Sequence, residues 1–216
     1  VPGTTAGKAN IIVKSAANGD YAENKVIHVA TVENGIIKLR ATPYTGIYNG
    51  QEHDALSNIS VEPQDVLLEY SINGGKYSTE MPKIKDTSEF TVTIKASKEG
   101  YKTQIITETV KVDKANGNLT LSATSGTLEY PNSTSFTVGG NTGTLSVTSS
   151  NTNVATVSIS GNKVTVKSGT TAGTATITVK SAASTNYNEK TATYKATVRT
   201  TIKRLKIGDY INYKYD

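Results

Sequence analysis

Two histidines, His28 and His53, and no cysteine are present among 216 residues. His53 stands between Glu52 and Asp54 in "NGQEHDAL". Three metal-binding residue types in a row do not make a site on a strand, where neighbouring side chains point to opposite faces. A loop could gather them, but the run reads as a solvated turn. A hydroxyl nucleophile needs a base and an orienting carboxylate converging on it. Serines and threonines abound, yet no Gly-Xaa-Ser-Xaa-Gly elbow frames any of them. Paired carboxylates for glycoside hydrolysis need a cleft, which small sandwiches seldom have. "SGTTAG" lacks the lysine and the following helix of a phosphate loop. The sequence thus points to no catalytic residue, no metal site and no cofactor, and it reads as non-enzymatic.

Oxygen ligands for calcium are on offer at Glu33, Asn34, Asp113 and Asn116, but they are few and follow no EF-hand pattern. They read as turn formers. A Lys–Asn isopeptide crosslink beside a buried acid remains open, since nothing in one sequence picks the pair. The net charge of +5 raises nucleic acid as a partner. The lysines are scattered singly, however, and the one cluster is Arg199, Lys203, Arg204 and Lys206. Lysines on strand edges that discourage edge-to-edge pairing explain this better. Twelve tyrosines are the main aromatic resource beside two Phe and no Trp. Tyr44, Tyr48, Tyr77, Tyr210, Tyr213 and Tyr215 are candidates for binding a glycan or a protein partner. Tyrosine filling cores in place of Phe and Trp is the plainer alternative.

The elements that would position these residues are strands. Hydrophobic residues make up only 36% of the chain, and Thr, Val and Ile recur in period-2 runs such as "KANIIVKSA", "FTVTIKAS" and "NKVTVKSG". No long stretch has helical periodicity, so the fold class is all-β. The chain also repeats itself. Displaced by 166 positions, about 17 of the 30 residues from 3 to 32 match without a gap, with Gly3 on Gly169 and Tyr21 on Tyr187. His28 falls on Tyr194, which suggests a surface strand position tolerant of either. The later copy closes a complete unit, 116–199. Its strands are read as "NLTLSAT", "EYPNSTSFTV", "TLSVTSS", "VATVSI", "KVTVKS", "GTATITVKSA" and "KTATYKATV", with Gly161-Asn162 as a two-residue hairpin turn. The earlier copy, 1–34, is expected to be the second half of such a domain. A half-domain would expose Ile11, Val13 and Ile27 or Val29, and it is expected to pair with another chain or with the tail. Residues 35–115 form a further module in which Asn73-Gly74-Gly75 makes a turn and Pro63 and Pro82 lie in loops or at strand starts. The tail, 200–216, matches neither module and could begin a further domain.

The stretch "SSNTNVATVSISGNKVTVKSGTTAGTATITVKSA" resembles the bacterial Ig-like domain, group 2. Asn153, Val154, Ala155, Val157, Gly161, Val164, Gly173, Thr174, Ala175, Ile177 and Val179 occupy the motif positions. The middle module, through its Tyr-Asn-Gly opening, "YSINGGKY" and "FTVTIKASKEGY", is similar to Ig-like repeats of bacterial surface adhesins. These resemblances imply an elongated tandem array of Ig-like β-sandwiches whose neighbours are like domains of the parent chain. They imply a structural stalk in a secreted or cell-surface bacterial protein. Adhesion to a host glycan or protein is one alternative, and decoration of a phage virion, tail or capsid, is another. Neither nucleic-acid binding nor membrane insertion is implied.

Overall fold

A computed structural model describes residues 5–200, and every regular element among them is a β-strand. The chain divides into two compact units, Val1–Asp113 and Lys114–Asp216.

In the first unit, β1 (Gly7–Ser15) and β2 (Asn24–Val32) make an antiparallel two-stranded sheet of their own. There follow β3 (Gly35–Ile36), β4 (Lys38–Pro43), β5 (Thr45–Ile47), β6 (His53–Asp54), β7 (Leu56–Glu62) and β8 (Leu67–Ile72). The unit ends with β9 (Lys83–Ile84), β10 (Ser88–Ser97), β11 (Tyr101–Lys102) and β12 (Gln104–Asp113). One layer is the four-stranded sheet β5-β12-β10-β8, and β4 pairs with β7 in a separate sheet. The core contains Ile37, Leu39, Leu56, Tyr70, Val92, Ile94 and Val110. Along β10 the burial alternates, with Val92, Ile94 and Ala96 fully enclosed, as a strand with one inward face requires. Asn73 and Gly74 both take positive φ, 48° and 71°, and the Gly75 N–H donates to the Ile72 carbonyl at 2.9 Å. That is the turn read at this place, and two consecutive positive φ values suit the right-handed twist of the strands it joins.

The second unit holds β13 (Thr120–Leu121), β14 (Ser125–Glu129), β15 (Ser133–Gly139) and β16 (Leu145–Ser149). After them come β17 (Ala155–Ser160), β18 (Lys163–Ser168), β19 (Gly173–Ser181) and β20 (Lys190–Arg199). Two four-stranded sheets result, β13-β15-β18-β17 and β14-β20-β19-β16, and one core includes residues of both. Val164 and Val166 of the first sheet and Ile177 and Val179 of the second are wholly buried. Each contributes roughly 1.5–3 kcal/mol by leaving water. The two sheets and their shared core make this unit a β-sandwich, the fold class expected.

Two local readings need correction. "EYPNSTSFTV" is not one strand: β14 ends at Glu129 and β15 starts at Ser133, with the Asn132 N–H donating to the Glu129 carbonyl at 2.7 Å across a turn. Pro131 sits in that turn, where the N–H it lacks is not needed by a ladder. At the Gly161-Asn162 hairpin only Gly161 takes a positive φ, 58°, so glycine alone carries the left-handed requirement.

Candidate functional site

The polar cluster around His53 is the first place to look for chemistry. His53 and Asp54 form β6, paired with β9, so the expected solvated turn is a short strand instead. Alternation then sets His53 apart from Glu52 and Asp54. The His53 ring stacks on Tyr44 with centroids 4.3 Å apart, and its Nε2 lies 3.1 Å from Asn49 Oδ1. Glu52 and Asp54 turn to Lys83, whose Nζ is 3.1 Å from Glu52 Oε1 and 3.8 Å from Asp54 Oδ1. The hydrogen bond that Lys83 donates to Glu52, with the charges of both carboxylates, raises the Lys83 pKa above the ordinary lysine value. One ammonium between two exposed carboxylates closes a surface loop onto its neighbour. Among the described residues no three His, Asp or Glu converge as metal ligands would.

The candidate tyrosines divide by environment. Tyr44 and Tyr48 are half-buried and pack against the core of the first unit. Tyr77 is exposed at 41%, and Lys95 holds its Nζ 5.1 Å from the ring centroid while pairing with Glu69 at 2.7 Å. The hydrogen bond to Glu69 raises the Lys95 pKa, against a smaller opposing effect of desolvation. Tyr210, Tyr213 and Tyr215 lie outside the described residues, as do Lys203, Arg204 and Lys206 of the basic cluster. Tyr70 and Tyr194, by contrast, are core side chains, and burial pushes both phenols up. Tyr194 stacks on Phe136 at 4.5 Å. His28 itself is exposed on β2, as expected, whereas its counterpart Tyr194 is a core position in the second unit, so the shared position is not a surface site in both copies. The mismatch of residue types concealed it; its even spacing from Ala196 and Val198 was the available signal.

Of the oxygen ligands considered for calcium, Asp113 pairs with Lys111 at 3.3 Å, and Glu33, Asn34 and Asn116 are exposed. Among the described residues the buried polar side chains are Ser71, Ser168 and Ser181. All three serines are bonded to backbone: Ser71 and Ser168 donate to the Gly75 and Asn132 carbonyls, each at 2.8 Å, and Ser181 Oγ accepts from the Gly143 N–H at 2.9 Å.

The most distinctive surface feature is the hairpin β1–β2. Ile11, Val13, Val26, Ile12, Ile27 and Val29 are 48–64% exposed. Its register sets Val13 opposite Val26 and Ile11 opposite His28, so those four share one face. Ile27 and Val29 lie on the other face, with Ile12, rather than beside Ile11 and Val13 as expected.

No family model matches the chain, and no curated protein matches it. Solved structures do. The chain is similar to the S-layer protein SbsC domains 4 and 5, at 28% identity over 63% of this chain and 78% of that one, with a TM-score of 0.34. It is similar to the titin domains z1z2, crystallised in complex with telethonin, at 13% identity over 77% of this chain and 98% of that one, with a TM-score of 0.46. A larger SbsC structure, domains 1-6, gives 17% identity over 90% of this chain but only 35% of its own length, with a TM-score of 0.38. No family model bears on the group 2 resemblance.

Proposed function

We propose that the chain is a non-enzymatic structural segment, a stalk of tandem Ig-like sandwiches in a secreted or cell-surface bacterial protein. One observation carries the reading. In each unit an early strand is bonded parallel to the last one. In the first unit β5 runs beside β12, setting Thr45, Gly46 and Ile47 against Lys111, Val112 and Asp113. In the second unit β14 runs beside β20, setting Ser125–Glu129 against Lys195, Ala196, Thr197, Val198 and Arg199. Flanking bonds extend both patches, Tyr48 N–H to the Asp113 carbonyl and Tyr130 N–H to the Arg199 carbonyl.

Tension applied to the two ends of such a unit draws parallel neighbours in opposite directions. The bonds between them lie across the pull and must fail together, whereas a hairpin pulled from its open end unzips one bond at a time. A spacer under load gains from this arrangement. The absence of cysteine and the Thr- and Lys-rich surfaces are compatible with an exported chain whose modules stand on their cores alone.

Single-molecule pulling of the chain tests the proposal. The expected record has two discrete unfolding events, each releasing about 25 nm of chain, from some 80 residues at roughly 3.4 Å each less the folded span. Gradual extension without discrete events overturns it.

A further inference from the structure

We infer that the face of β1–β2 bearing Ala9, Ile11, Val13, His28, Ala30 and Val32 is a docking surface. Its occupant is a half-sandwich of the kind formed by residues 118–168, joined ahead of β1 in the same polypeptide. The inference is independent of the mechanical reading above.

The grounds are a residue-by-residue match with an interface already present in the molecule. β1–β2 pairs Gly7 with Val32, Ala9 with Ala30, Ile11 with His28 and Val13 with Val26. β19–β20 pairs Gly173 with Val198, Ala175 with Ala196, Ile177 with Tyr194 and Val179 with Ala192. Every pair is displaced by the same 166 positions, so the two hairpins share one register. Their connecting loops agree as well: the Asn18 N–H donates to the Tyr21 carbonyl at 3.0 Å, and the Ser184 N–H to the Tyr187 carbonyl at 2.9 Å.

The identities between the hairpins are not spread evenly. On the face that is buried in the second unit, Gly7, Ala9, Ile11, Val13, Ser15, Ala30 and Val32 are unchanged at 173, 175, 177, 179, 181, 196 and 198. On the outer face only Lys14 and Thr31 are unchanged. A surface required only to be wet has no reason to keep Ile and Val while its reverse side drifts. Ser15 is informative because Ser181, its counterpart, is fully buried and accepts the Gly143 N–H. A serine at that place serves a loop that β1–β2 does not yet have.

The second unit shows what the occupant supplies. β14 lies parallel to β20 on one edge, β16 lies antiparallel to β19 on the other, and β15, β17 and β18 share the core with the face between them. Both edges of β1–β2 and its face bearing Ile11 and Val13 repeat that arrangement position for position, and it is this face, not the one bearing Ile12, Ile27 and Val29, whose residues are kept at 173–198. A second copy of the chain is a poor source, because its residues 118–168 already hold its own β19–β20.

The test duplicates residues 116–168 ahead of Gly3, where "GTTAG" reproduces the natural join at 169–173. Amide exchange at Ile11 and Val13 is expected to slow by at least about 100-fold, approaching that of Ile177 and Val179. The double change Ile11→Lys with Val13→Lys in the extended chain abolishes the gain and leaves β19–β20 protected. The extension is also made with His28→Tyr, which restores the residue that packs on Phe136, so that a poor fit at that one side chain does not decide the result. Absence of added protection in both extended chains overturns the inference. So does reversible self-association of the unextended chain that is lost on Ile11→Lys, because a second copy is then the occupant.

Discussion

The hairpins β1–β2 and β19–β20 are one object in two environments. They share register, loop and most of one face, yet Ile177 is wholly buried and Ile11 is 51% exposed. Strand formation is thus separable from burial. The strands pair in the same register in both copies, while the hydrophobic gain arrives only with the opposite sheet. An isolated two-stranded hairpin is marginal in water, so the stability of the second copy comes from its neighbours.

Substituting the same residue in both copies should divide them most widely. Ile177→Lys places a charge among fully buried side chains and removes an apolar one, and should cost at least about 4 kcal/mol, enough to unfold the second unit. Ile11→Lys should stay within about 0.5 kcal/mol. Denaturant unfolding of the two variants, followed by exchange protection in each unit, measures the contrast. Equal effects would break the comparison.

Smaller changes sharpen it. Gly126 lies where an added Cβ meets the Tyr194 hydroxyl, so Gly126→Ala should cost about 1–3 kcal/mol by overpacking. Tyr194→Phe removes the obstructing oxygen and should recover part of that loss in the double variant, the coupling expected of residues in contact. Ser181→Ala leaves the Gly143 N–H without its acceptor and should cost about 1–3 kcal/mol. Ser15→Ala should be silent until the occupant of β1–β2 is supplied. Thermal unfolding of each pair gives the differences directly.

How much of this was legible in the sequence follows from which physical signal each part carries. Strands with alternating Val and Ile announced themselves, as "KVTVKS" did for β18. The pairing of β1 with β2 lay in the repeat, because identical spacing implies identical pairing. β14 was missed because Ser125, Gly126 and Thr127 look like loop residues, and its strand state comes from the parallel bonds to β20. β4 was missed although its burial alternates, because Leu39 is its one large aliphatic side chain among Lys, Arg, Ala, Thr and Pro. Which tyrosines enter the cores was not readable, since Tyr70 and Tyr77 sit in the same segment with opposite fates. The stacking of His53 on Tyr44 joins residues that no spacing rule connects.

The smallest expected difference is one of pH. Tyr70 in the first unit and Tyr194 in the second have pKa values raised above 10.0 by burial, and hydrogen bonds to Glu52 and Glu69 raise Lys83 and Lys95 above 10.5. For all four groups the folded state holds its proton more tightly than the unfolded chain does. Their contribution is therefore complete below the unfolded values and drains away as pH rises through the folded ones. Both units should keep their stability to about pH 10 and lose it above. The first unit should lose more, because a buried tyrosine and two lysines have raised pKa values there, against one tyrosine in the second. Lys95→Met with Lys83→Met should flatten part of the first unit's alkaline slope without moving the second, as read by unit-resolved unfolding between pH 8 and pH 11. The exposed Lys83 pairs act weakly and the part-buried Lys95–Glu69 pair somewhat more strongly, so a steep slope that survives both changes would assign the alkaline loss to Tyr70.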